Sequence, residues 1–210
     1  MNIIIAGGGR FGCKAAEELK KIAEKIIVVD VNPNCPASKI NGIDFVIDDA
    51  SRYIAELMNK EIIPDFIVPC MPGNLVAKIF VNFLLKHGFM VEKDTEGFKN
   101  ALSKIEKDVI IIAEDATIVA SHSKGFICPS NCKPSKICPI SNKIILPLYS
   151  MLNIGGNGKI FVSKLLAEEA GGISGMELYK ELKSRVKANQ SFYVGAACEC
   201  HGIITFLRVD

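Results

Sequence analysis

The sequence of 210 residues has no apolar run long enough to span a bilayer, no basic leader followed by a long apolar stretch, and no excess of one charge. Runs such as 110–113 fall far short of the roughly 20 residues a membrane helix needs, so no membrane span and a cytoplasmic location are expected. The 25 basic and 23 acidic side chains are scattered and build no basic stripe; nucleic acid is therefore not indicated, and small metabolites fit better as partners. There is no internal repeat and no low-complexity tail. Without a secretory leader the eight cysteines do not read as a disulfide framework, because the cytosol keeps thiols reduced; intracellular disulfides would fit only a hyperthermophilic source.

What is present at the start is an alternation of strand and helix patterns at short spacing. Residues 2–6, 26–30, 44–47 and 65–68 read as strands. Stretches 10–24, 51–59 (capped by Ser51) and 74–87 read as helices, the last closed by His87 and stopped by Gly88. The alternation predicts an α/β fold, a Rossmann-like doubly wound parallel sheet, with an elaborated cysteine-containing C-terminal half. The chain is accordingly expected to divide into a dinucleotide-binding domain over 1–120 and a C-terminal region over 121–210. Beyond Gly88 the spacing predicts a fully buried strand over 108–113 and strands at 117–120, 144–148, 192–196 and 202–208. Helices are predicted at 161–170 and 175–188; the second, with Leu178, Leu182 and Val186 on one face, is structural or a homodimer contact.

The strand at 2–6 runs into Gly7-Gly8-Gly9-Arg10-Phe11-Gly12. Gly7 permits a tight turn, Gly9 lets a pyrophosphate approach the backbone, and Gly12 lets helix and strand pack closely. The helix N-terminus then offers free N–H groups to phosphate. Asp30 ends the second strand about 20 residues on, where a carboxylate accepts from ribose hydroxyls and disfavours a 2′-phosphate, so NAD is expected before NADP. The competing reading is a glycine turn that binds nothing. Gly155-Gly156-Asn157-Gly158 is read as a plain loop or as a second phosphate turn.

With Val29-Asp30, Asn32-Pro33, Asp49-Ala50 and Asp65 added to the glycine turn, the first 90 residues or so resemble the NAD-binding domain of the TrkA-N kind, found in potassium-conductance regulators. That resemblance implies that Asp49 and Ala50 border the adenine and that the loop beginning at Pro69-Cys70 lies near the second phosphate or the nicotinamide. The chain departs from the family pattern there, carrying Pro69-Cys70-Met71-Pro72-Gly73-Asn74. The triple glycine and the length also resemble precorrin-2 dehydrogenases, whose pattern Asp30 and the later cysteines do not follow.

Residues 124–142 are rich in Pro, Ser, Lys and Cys with little periodicity, a loop that needs something other than a core to hold it. Cys128, Cys132 and Cys138 lie in it, and Cys198, Cys200 and His201 come later at a tight turn. A thiolate set of this size suits zinc or an iron–sulfur cluster, although the spacing matches neither a common zinc ribbon nor a ferredoxin run. Reduced or disulfide-linked cysteines in a rigid loop are the alternative. For function the leading expectation is an NAD-dependent oxidoreductase acting on a small substrate, with Cys70, His122 and His201 as the candidate acids or nucleophiles; for Cys70 the reading as a small apolar residue packed under the cofactor comes first. The alternative is an NAD- or NADH-sensing regulatory module with structural or redox-responsive cysteines.

Overall fold

A computed structural model describes residues 1–128, 132 and 136–210. The fold is α/β with mixed sheets, and its contacts divide it into two units. Unit 1 is Met1–His87 with Ser163–Val186, and unit 2 is Gly88–Val162 with Lys187–Asp210. The break expected near residue 120 is therefore not where the contacts part. Each unit is built from two separated stretches, a property that local periodicity does not encode.

In unit 1, strands β1 (Asn2–Ala6), β2 (Lys25–Asp30), β3 (Asp44–Ile47) and β4 (Phe66–Pro69) pair in parallel in the order β3-β2-β1-β4. Their Ile and Val runs favour extended backbone, and burial explains why β1, β2 and β4 read as nearly continuous apolar segments, while β3 at the sheet edge stays half-exposed. Helix α1 (Arg10–Leu19) buries Ala15, Ala16 and Leu19 with Ile3, Ile5, Ile26 and Val28. Helix α2 (Ala50–Asn59) packs against α3 (Leu75–Lys86). Asp49, not Ser51, caps α2: its carboxylate accepts from the Arg52 amide at 3.0 Å and the Ser51 hydroxyl at 2.5 Å. Asn74 caps α3 by accepting from the Ala77 amide at 3.2 Å, and His87 closes its C-terminus.

The remainder of this sheet comes from the later stretch, and it corrects the expectation of a purely parallel sheet. In place of a helix over 161–170 the chain is extended, with β8 (Gly158–Val162) and β9 (Lys164–Leu165). Then β10 (Gly171–Ser174) pairs antiparallel with β4, Ile173 opposite Ile67, and β9 lies outside it. The stripe at 161–170 is short and its apolar positions alternate as well as they wind, which is why the period misled. Helix α6 (Gly175–Ser184), capped by Ser174, buries Leu178 and Leu182 within the chain itself, so the face expected as structural or a dimer contact is structural.

Unit 2 is a sheet in the order β6 (Ile110–Glu114), β7 (Thr117–Ser121), β12 (His201–Val209), β11 (Gln190–Ala197), β8, with β5 (Val91–Lys93) also pairing β12. Among the described residues of this unit only β8 and β11 run parallel. Helices α4 (Thr95–Leu102) and α5 (Leu148–Met151) cover a core of Ile118, Leu152, Tyr193, Ile204 and Phe206. The strand expected to be fully buried at 108–113 is an edge strand with a register shift between Ile110 and Ile112, which leaves its middle exposed. Residues 144–148 form no strand: Ile144 makes a lone bridge to Ile137, and a helix begins at Leu148. Among the described residues no helix is long and apolar enough to cross a membrane.

Candidate functional site

The glycine turn links β1 to α1. Gly7 has φ +102°, and a Cβ there would stand 2.8 Å from the Cys70 carbonyl oxygen. A Cβ on Gly12 would fall 1.8 Å from the Gly7 carbonyl oxygen, so turn and helix pack as closely as a glycine allows. Gly9 is different: it is the N-cap of α1, makes no side-chain cap, and a Cβ there would meet nothing within 4 Å. Packing demands Gly7 and Gly12; the face of Gly9 is open, with the N–H groups of the first turn of α1 behind it.

Asp30 reaches this turn directly. Its Oδ2 accepts from the Gly8 amide at 2.6 Å and its Oδ1 from the Asn32 amide at 2.8 Å. An ionised carboxylate has about four acceptor positions, so two remain for hydroxyl donors. The loop after β2 folds back over the turn: the Ala37 amide donates to the Gly8 carbonyl at 3.0 Å, and a Cβ on Gly8 would meet the buried Cys35 sulfur at 2.4 Å.

Two side chains not singled out in the sequence stand at the same edge. Val31, directly after Asp30, is 68% exposed, and Ile47, which lies opposite Asp30 across the β2–β3 pair, is 62% exposed. Phe11, at the start of α1, is 69% exposed, and its ring takes the Arg10 guanidinium at 6.0 Å. An apolar residue that ends an edge strand looks like any core residue in sequence, so nothing but the strand register finds Ile47.

Beside the turn lies a cleft of about 430 Å³ at the C-terminal end of β4, lined by Phe11, Lys14, Cys70, Met71, Pro72, Glu169 and Gly171. Lys14 and Glu169 pair across it at 2.5 Å. Burial pushes the Cys70 thiol up to about 11, which keeps it protonated near neutral pH. Asp49 is committed to the cap of α2; burial works to raise its pKa, but the Ser51 hydroxyl and the Arg52 and Ser51 amides carry it below the usual carboxylate value. Ala50 is buried. A larger hollow of about 640 Å³, lined by Glu17, Lys20, Lys21 and Lys39 among others, includes no residue of the glycine turn.

The second set of candidates belongs to unit 2. His122 is buried, with Nε2 2.7 Å from the Leu146 carbonyl oxygen, so it ties down the loop rather than lying on the surface. His201 sits between two sulfurs: Nε2 is 3.5 Å from Cys128 Sγ, and Nδ1 is 4.0 Å from Cys198 Sγ. The His201 amide donates to Cys198 Sγ at 3.3 Å. Burial pushes the Cys200 thiol up to about 12, and the neighbouring Cys198, Cys132, Cys138 and Cys128 add to it. In the turn after Cys138 the Ser141 hydroxyl and the amides of Ser141 and Ile140 face the sulfur and lower its pKa. They stop short of a full bond from the hydroxyl, because Ser141 Oγ is buried without a hydrogen-bond partner among the described residues. As the side chains stand, no group of three or more His, Cys, Asp or Glu among the described residues is drawn together tightly enough to hold a metal ion.

Comparison with known proteins divides the chain at one point in sequence, between residues 72 and 76, whereas the contacts return Ser163–Val186 to unit 1. Residues 76–210 match the family model AF_1314_C, "Uncharacterized protein, C-terminal domain", and residues 1–72 match AF_1314_N, "Uncharacterized protein, N-terminal domain". The chain belongs to the AF_1314 family. Over 219 aligned residues it is 27% identical to an uncharacterized protein of Archaeoglobus fulgidus, covering 98% of each chain. Shorter likenesses are to a formate-dependent phosphoribosylglycinamide formyltransferase of Prochlorococcus marinus, 34% identical over 32% of this chain and 17% of that one, and to an orotidine 5′-phosphate decarboxylase of Methanocaldococcus jannaschii, 32% identical over 42% and 45%. Among solved structures, the phosphoribosylaminoimidazole carboxylase ATPase subunit of Aquifex aeolicus aligns over 46% of this chain and 36% of its own, at 23% identity and a TM-score of 0.27.

Proposed function

We propose that unit 1 is a Rossmann-like nucleotide-binding module of the TrkA-N kind, and that its ligand is NAD. The observation that carries this reading is the coincidence at one sheet edge of an open Gly9 at a helix N-terminus, a braced carboxylate at Asp30, and two exposed apolar side chains, Val31 and Ile47. Phosphate would lie over Gly9, the ribose hydroxyls against the free positions of Asp30, and the base between Val31 and Ile47. The ligand would continue past Phe11 into the cleft at the end of β4, which lies where the strand order turns from β1 to β4.

Once bound, the nucleotide could serve in either of two ways. As an oxidoreductase the protein would transfer hydride in that cleft, whose polar groups are the Lys14–Glu169 pair and the protonated Cys70 thiol. As a sensor it needs only differential binding of NAD and NADH by two conformations. A second reading of the ligand, a smaller phosphorylated riboside, is favoured by the short likenesses to proteins whose names carry a phosphoribosyl group or a nucleoside 5′-phosphate.

Calorimetric titration of the full chain with NAD, NADH, AMP and ribose 5-phosphate decides among these. Saturable binding of NAD or NADH, lost in Gly9→Ala, supports the dinucleotide. Binding of ribose 5-phosphate or AMP without NAD moves the assignment to the smaller ligand, and no binding of any overturns the site.

A further inference from the structure

The segment that leads out of β7 sorts its side chains the wrong way round for a hydrophobic core. Ile127 is 93% exposed, and Phe126, Ile144 and Leu146 are also outside. Cys138 is 4% exposed, while Cys128, Cys198 and Cys200 are half-buried. Of the three cysteines that follow β7 before residue 142, Cys138 is buried, Cys128 half-buried and Cys132 exposed, and with Phe126, Ile127, Ile144 and Leu146 facing out the described residues here gain little order from the hydrophobic effect. They must be held by their polar and sulfur groups.

Backbone bonds bring those groups to one corner of unit 2. The turn between β11 and β12 carries Cys198, Cys200 and His201, closed by the Cys198 amide on the His201 carbonyl at 2.9 Å. The Cys200 carbonyl accepts from the His122 amide at 3.0 Å and the Glu199 carbonyl from the Leu148 amide at 3.0 Å, so both ends of the loop are stitched to this turn. Cys138 reaches the same corner from a turn of its own, closed by the Asn142 amide on the Cys138 carbonyl at 2.8 Å.

We propose that this corner is a thiolate-held soft-metal centre, its sulfur ligands being Cys128, Cys138 and Cys198 and its fourth ligand Cys200 or His201. Three contacts point to this corner. The His201 amide donates to Cys198 Sγ at 3.3 Å, which holds that sulfur against the imidazole. Donors of the Pro139-Ile140-Ser141 turn face Cys138 Sγ, with Ser141 Oγ buried and not otherwise bonded. Cys128 Sγ and His201 Nε2 stand 3.5 Å apart, close to the edge of a tetrahedron with metal–sulfur and metal–nitrogen bonds of about 2.3 and 2.0 Å. Cys200 has Cys198, Cys132, Cys138 and Cys128 as its sulfur neighbours, and a soft cation is the ion such a set of sulfurs takes up. Each thiol that ligates releases its proton to solvent, so uptake acidifies the medium, and the remaining sulfurs close on the ion by side-chain rotation. Zinc and an iron–sulfur cluster share this chemistry.

The test is metal and acid-labile sulfide analysis of the full chain purified without oxygen, with an absorption spectrum. About one zinc per chain and no visible band assigns zinc; iron with sulfide and a visible band assigns a cluster; both support the centre. Cys138→Ser and Cys198→Ser should each lower the metal content at least about tenfold, with Cys13→Ser, in unit 1, as the unchanged control. If Cys138→Ser does not fold, Cys198→Ser on its partly exposed turn still reports. Metal-free protein that takes up neither zinc nor iron, retention of metal in both variants, or a mass two daltons low from a disulfide among these cysteines would each overturn it.

Discussion

The Gly8 amide donates to Asp30 Oδ2 at 2.6 Å, so the carboxylate at the end of β2 holds the glycine turn before any ligand arrives. Asp30→Ala therefore has two effects. It should lower stability by about 1–3 kcal/mol, because a part-buried amide loses a charged acceptor, and it should weaken nucleotide binding as well. Urea denaturation with and without NAD separates the two; an unchanged midpoint in the absence of ligand would show that the brace holds nothing.

Gly9 and Gly12 should behave oppositely. A methyl on Gly9 enters open space, whereas one on Gly12 collides with the Gly7 carbonyl. Gly9→Ala is expected to keep stability within about 1 kcal/mol and lose nucleotide affinity. Gly12→Ala is expected to cost about 3 kcal/mol or more, since backbone cannot give way as a side chain can. Thermal melts and calorimetric titration on both variants check the pair. A Gly9→Ala protein that binds NAD as the parent does would remove the glycine turn from the site.

How much of this was legible depends on what each signal rests on. Strands 2–6 and 44–47 stand at their expected bounds, because each is a local apolar run with β-branched residues between turns. The strand at 110–114 misled because an edge strand with exposed isoleucines has the composition of a buried one. The antiparallel pairing of Ile173 with Ile67 is a long-range choice that no window of sequence contains. In the candidate site the glycines and Asp30 announce themselves by conformation and charge. Val31 and Ile47 do not, since exposure at a strand end is decided by what the rest of the fold leaves uncovered.

The Cys70 thiol, raised to about 11 by burial, should be a poor nucleophile. At pH 8 its alkylation by iodoacetamide should run on the order of a hundredfold slower than that of a thiol at its ordinary value, and climb about tenfold per pH unit. Because the folded value lies above the unfolded 9.0, the stability this group contributes is full below pH 9 and lost as pH rises toward about 11. Mass spectrometry of labelled peptides measures the rate; fast labelling at pH 8 would contradict the buried, protonated thiol.

Arg185 is a buried cation at the end of α6, bound by Glu181 Oε1 through Nε at 2.8 Å and through a terminal nitrogen at 2.6 Å. Removing the carboxylate in Glu181→Ala should destabilise the protein by about 1–3 kcal/mol, since a buried guanidinium loses the charged acceptor of two of its N–H groups. Glu181→Gln, which keeps an acceptor oxygen, should lose less. Equal midpoints for the two variants in urea would show that charge is not what matters there.

The pairing of β10 with β4 has a consequence for how the protein is made. A ribosome delivers Ile67 roughly 100 residues before its partner Ile173, a wait on the order of 5–20 s at ordinary synthesis rates. Through that interval the edge of β4 that β10 will cover is a bare template for any other extended chain. Gly171–Ser174 and the helix behind it thus act as a late clasp: they shut the first-made half of the molecule only after Gly88–Val162 has been spun out, and before β11 and β12 exist.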